Sequence, residues 1–242
     1  MKKRIYTLLF LPLVGLLVVN SYGLQAASRP PLEWAELLVE NIQPENTDYQ
    51  HKQGTVKWQG VNGADVYESH TDCSGLLNAL LERSYGLKST DFEQWLGVRR
   101  PLAITYHYAI ESKNGFARID RISGVRPGDI IAIKYPPDAD NSGHVMIVSE
   151  KPHRRTKDTE PVVAETEQWE IAVIDSSELG HGKTDMRRRT DGSFGQGVGK
   201  GIFRLYCDRQ GRFTGYSWST FLNSEYHDRN DRPLAIGRLR FR

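Results

Sequence analysis

Residues 127–149 read PGDIIAIKYPPDADNSGHVMIVS. Two short β-type runs stand in this stretch, Asp129 to Tyr135 and His144 to Ser149, and the pattern continues downstream. Ile171 to Ser176, Ile202 to Cys207, Phe213 to Trp218 and Leu234 to Phe241 are apolar-rich runs of strand length, mostly joined by short turns such as Asp208 to Gly211. Consecutive strands with short connections predict an antiparallel sheet of about five or six strands, not βαβ crossovers.

Before Pro127 the periodicity is helical. Pro31 to Ile42 places proline in a first turn, with Trp34, Leu37, Leu38 and Ile42 at helical spacing. His51 to His70 is rich in Gly and Gln and reads as loop. Asp72 is placed to cap a helix on which Cys73, Leu76, Leu77, Leu80 and Leu81 share a face, ending before Gly86. Thr90 with Glu93 suggests a capping box for a short helix through Leu96, and Pro101 opens another to about Glu111. Helices first and strands later predict an α+β domain, with the Cys73 helix packed on one face of the sheet.

Lys2, Lys3 and Arg4 precede an apolar run from Ile5 to about Val19 and then small residues through Ala27. That is the pattern of a signal peptide over residues 1–27, cleaved after Gly23, Ala26 or Ala27, which predicts export with no stable membrane insertion afterwards. Without its three basic residues the formal charge of +2 becomes about −1. No nucleic-acid motif stands out. Residues 28–242 are expected to form one domain, with a polar surface loop at about 151–170. Arg187 to Arg189 read as a solvated loop, and Arg238, Arg240 and Arg242 as the polar face of a strand.

Two cysteines, Cys73 and Cys207, follow the signal, and in an oxidising compartment they could pair. Cys73, however, heads a helix, where unpaired amides and the dipole favour a thiolate, whereas Cys207 ends an apolar strand. A thiolate nucleophile needs an imidazole within reach and a third group to orient it. His144, after a glycine at the start of a strand, is best placed. His70 lies before the helix, and His51, His107, His153 and His227 read as surface or satisfied polar residues. A metal site of His70, Cys73 and His144 lacks a recognised spacing.

Three ordered blocks, DCSGLLNALL at Cys73, RPGDIIAI at Arg126 to Ile133 and SGHVMIV at His144, resemble the NlpC family of papain-like cell-wall cysteine peptidases. The blocks cover about the central third of the chain. The resemblance implies a papain-like fold and hydrolysis of an amide bond in peptidoglycan stem peptides, most often between D-glutamate and a diamino acid, without a cofactor or metal.

Carried over, the nucleophile is Cys73 and the base His144. The third role falls on the strand EIAVIDSS, where Asp175 stands at a position that is commonly histidine in the family. His181 competes for that role, and Asp129 reads as a structural turn residue. The family's upstream tyrosine falls near Val56, so Tyr67 or backbone amides would serve the oxyanion. Trp58 reads as a cleft wall or core residue. A cysteine acyltransferase or lipid/ester hydrolase of the same fold, and an inactive wall-binding module, are the competing functions.

Overall fold

A computed structural model describes residues 29–51 and 54–240. The signal-peptide reading lies outside the described residues. Among these, no helix is long and apolar enough to cross a membrane.

The expected α+β order is observed. Four helices, α1 (Pro31–Asn41), α2 (Cys73–Tyr85), α3 (Ser89–Leu96) and α4 (Ala103–Glu111), lie in the first half. The stretch read as loop before Cys73 holds three short strands, β1 (Thr47–Asp48), β2 (Thr55–Lys57) and β3 (Glu68–His70), in a small sheet of order β1-β3-β2. Their two- and three-residue lengths are too short for periodicity to register. The second half supplies β4 (Phe116–Ile119), β5 (Ile130–Lys134), β6 (Gly143–Val148), β7 (His153–Arg154), β8 (Thr166–Ser177), β9 (Gly197–Asp208), β10 (Phe213–Ser217), β11 (Tyr226–Asp228) and β12 (Leu234–Leu239).

These nine strands make one antiparallel sheet, larger than expected, of order β11-β10-β9-β8-β6-β5-β12-β4, with β7 added beside β8. The polar loop is accordingly shorter than 151–170, because His153–Arg154 and Thr166–Glu170 are paired strand. What remains of it is tied down by Gln168, which exchanges hydrogen bonds with Thr159, and by the buried Arg204, which donates to the Thr159 and Glu160 carbonyls.

One face of the sheet, with Ile130, Ala132, Val145, Ile147 and Ile174, packs under α1, α2 and α4. The opposite face, with Ile131, Ile133, Met146, Val148, Val173 and Phe203, has its own core. It is enclosed because the sheet curls. Arg121, just beyond β4, bridges Arg212 in the β9–β10 turn, and the Ile122 amide donates to the Gly211 carbonyl at 2.9 Å. Burial of both faces explains why β5 and β6 are unbroken apolar runs rather than alternating ones. Asp129 holds the closure from inside the turn before β5. Its carboxylate accepts from the Arg126 amide and takes a two-pronged contact from Arg238 at 2.8 and 2.9 Å.

Candidate functional site

Cys73 opens α2 because Asp72 caps it. The Asp72 Oδ1 accepts from the Gly75 amide at 2.7 Å and the Ser74 hydroxyl at 2.9 Å, while Arg100 Nη2 donates to Oδ2 at 2.8 Å. These donors overcome the desolvation cost and hold the Asp72 carboxyl below its usual range. Space favours glycine at 75. A Cβ there would lie 2.0 Å from Thr71 Oγ1, so a larger residue in this first turn would force the Thr71 side chain to move. The Thr71 carbonyl accepts from the buried Ser176 hydroxyl at 2.6 Å, which fastens the helix start to the end of β8.

His144 reaches the same place from β6. β6 and β8 pair at Ile147↔Ile174 and Val148↔Val173; His144 and Asp175 lie just beyond these pairs, and their side chains meet there. His144 Nε2 stands 2.6 Å from Asp175 Oδ2. The ring also faces the Cys73 sulfur. Burial works against an imidazolium, but the negative Cys73 and the bond to Asp175 outweigh it and raise His144 to about 10. Gly143 has φ +141°, and a Cβ on it would meet the Ile133 carbonyl at 2.0 Å, so the approach of β6 to β5 beside His144 demands glycine.

Asp175 is fully enclosed and anchored on both oxygens. Its Oδ2 also accepts from His181 Nε2 at 2.8 Å, and its Oδ1 takes Arg187 Nη1 at 2.9 Å. Desolvation pushes against its charge, yet His181, Arg187 and His144 hold the carboxyl well below the ordinary value. His181 Nδ1 lies 2.7 Å from the Trp218 carbonyl, so both ring nitrogens of His181 face acceptors. Arg187 is completed by Asp185 and the Gly197 carbonyl. Two carboxylates, Asp175 and Asp185, thus share the Arg187 guanidinium behind His144, with the His181 ring on Asp175.

The two candidates for the third position occupy successive shells: Asp175 touches His144, and His181 touches Asp175. The same three side chains are of metal-ligand type and cluster closely. Their donor atoms are already engaged with one another, and Arg187 occupies the far side of the carboxylate, so the set fits a hydrogen-bonded relay better than a cation site.

Several expectations are corrected. Arg187 is not a solvated loop residue but 7% exposed and wholly paired. Tyr67 packs against the helical core and lines neither cavity beside Cys73; Tyr49 lines both. Burial and the nearby negative Cys73 raise the Tyr49 phenol. His51 and His227 also border these cavities. His70 pairs with Asp48 and Glu68. His107 is buried with neither ring nitrogen hydrogen-bonded, and desolvation, with Lys134 and Arg118 nearby, lowers it to about 4. Cys207 is buried in the second core as a free thiol, as Cys73 is, so the two are not paired. Trp58 is a core residue, its Nε1 donating to the Trp34 carbonyl at 2.9 Å.

The chain is 39% identical over 217 residues to "Uncharacterized protein R653" of Acanthamoeba polyphaga mimivirus, an alignment covering 86% of this chain and 95% of the viral protein. The chain belongs to that protein's family. No family model matches it, and no solved structure does.

Proposed function

We propose that this protein is an exported cysteine hydrolase with a papain-like, NlpC-type active site, cleaving an amide bond in peptidoglycan stem peptides. The observation that carries the reading is the continuous buried chain from Cys73 through His144 to Asp175, with the sulfur at a capped helix start. Cys73 as thiolate attacks the amide carbonyl, and the His144 imidazolium donates its proton to the departing amine, leaving a thioester. Neutral His144 then takes a proton from water, which attacks the thioester; the acid product departs and the Cys73 thiolate and His144 imidazolium are restored. Asp175 fixes the ring and stabilises its charge throughout.

The oxyanion forms beside the first turn of α2, whose leading amides have no intrahelical acceptor. Tyr49, bordering both cavities, is placed to add a hydroxyl donor. The substrate follows from the DCSG, PGD and GHV blocks, and export from the N-terminal pattern.

The test is incubation of the mature protein with purified peptidoglycan and mass identification of the released fragments. The reading expects stem-peptide products that disappear with Cys73→Ala and after thiol alkylation. Intact peptidoglycan together with turnover of small esters would instead favour the acyltransferase or ester-hydrolase alternative.

A further inference from the structure

The cavity on the His144 side of the cleft, about 260 Å³, is lined by Tyr135, His144, Glu178, Trp218, His227 and Arg232 among others, and does not reach Cys73. The second cavity beside it contains Cys73, Asp72 and Ser74. In the proposed reaction His144 gives its proton to the departing amine. The cavity built around His144 therefore receives the leaving group, and the one at the helix start receives the acyl portion.

The arginines around the site differ in their commitments. Arg100 is paired with Asp72, Arg187 with Asp175 and Asp185, and Arg238 with Asp129. Arg232 forms no ion pair with any described Asp or Glu. It is half-buried, stacked over the Tyr135 ring at 5.1 Å, with the Tyr216 phenol close by. Its backbone is fixed by a bond to the Asp228 carbonyl, and the next residue, Pro233, accepts from the Lys134 amide. Aromatic rings thus hold a guanidinium at the cavity wall without neutralising it, and aromatic packing of this kind orients Arg for planar two-point recognition of a carboxylate. His227, tilted against Tyr216 with ring centroids 5.1 Å apart, is held below its ordinary value by burial and by Arg232.

We infer that Arg232 anchors a free carboxylate on the amine portion of the substrate, so that the enzyme selects amides whose leaving amino acid bears an unblocked carboxylate close to the scissile nitrogen. The inference rests on the hydrolase reading for which side of the bond Arg232 serves. Glu178, exposed on the same cavity, completes a pattern suited to a residue carrying both a carboxylate and a second amine.

The probes are the tripeptide L-alanyl-γ-D-glutamyl-L-lysine and its C-terminal carboxamide. Cleavage is measured on the mature protein, and equilibrium binding by calorimetry on Cys73→Ala, alone and combined with Arg232→Gln or Arg232→Lys. The free acid is expected to exceed the carboxamide about 10- to 100-fold in both readouts. Arg232→Gln brings the ratio toward one, and Arg232→Lys retains part of it. An unchanged ratio in Arg232→Gln, equal binding of the two peptides, or binding of neither overturns the anchor. A persistent binding ratio with no cleavage overturns the hydrolase reading while the anchor stands.

Discussion

Arg187 Nη1 donates to Asp175 Oδ1 at 2.9 Å in a region where both side chains are almost completely withdrawn from water. The pair is part of a buried cluster with Asp185 and His181, and its members depend on one another because a lone charge left in that interior has no compensation. Arg187→Met should therefore destabilise the protein by about 3–5 kcal/mol. Denaturant unfolding of the mature chain measures this, and a loss under about 1 kcal/mol would contradict the account. Burial works against the Arg187 charge, but Asp175 and Asp185 together outweigh it and raise the guanidinium above its ordinary value.

The raised His144 predicts a definite pH dependence. A histidine with a folded value near 10 and an ordinary value of 6.5 stabilises the fold fully below about 6.5 and loses that contribution as pH rises toward about 10. On the proposed mechanism the proton donor for the leaving amine disappears in the same window, so kcat/KM should fall on an alkaline limb near 10. Asp175→Asn removes one of the charges holding the proton. It should move that limb to lower pH and reduce the rate about 100-fold or more. A pH–rate profile of both proteins decides the matter; an unmoved limb would separate Asp175 from His144.

His181 touches Asp175 Oδ2 at 2.8 Å and the Trp218 carbonyl at 2.7 Å, one contact further from His144 than Asp175. His181→Gln should weaken Asp175 as a support and shift the alkaline limb less than Asp175→Asn does. A larger shift in His181→Gln than in Asp175→Asn, read from the same pH–rate profiles, would contradict that order.

On the proposed mechanism Tyr49→Phe should lower kcat about 100- to 1,000-fold, the range for loss of one oxyanion donor, while alkylation of Cys73 by iodoacetamide proceeds normally. Tyr67→Phe should stay within about twofold of the parent on the same assay. The reverse order would return the oxyanion role to Tyr67.

Gly75→Ala and Gly143→Ala each bring a Cβ to 2.0 Å from a neighbour, Thr71 Oγ1 and the Ile133 carbonyl respectively. The second substitution meets backbone and also strains a positive φ, so it should cost more, about 2–3 kcal/mol or above, against a smaller loss for Gly75→Ala. Thermal unfolding compares them directly.

The relation of sequence to structure divides along physical lines. Helical periodicity and a capping aspartate placed Cys73 in a first helical turn, and α2 spans Cys73–Tyr85. Runs of apolar residues with turn chemistry between them marked β5, β6, β8, β9, β10 and β12, although their ends extend further in β8 and β9 than apolarity alone suggests. Gln168 in the added part of β8, and Arg204 within β9, are polar residues buried by pairing with loop carbonyls, a contact absent from local pattern. Short strands such as β1 and β7 leave no periodic trace, and the α3 capping bond runs from the Lys88 amide to Asp91, not through Thr90 and Glu93.

The sequence by itself marked the candidates for reactive chemistry and most segments that become helix or strand, because these depend on residue type and on neighbours within a turn or two. Tertiary structure alone decided that the sheet curls until Arg121 meets Arg212, that Arg187 leaves an apparent surface run to neutralise Asp175, and that Tyr49 borders the cleft in place of Tyr67. Each of these joins positions by burial or charge compensation across folded space. Charge compensation becomes strong only after the surrounding water has been excluded.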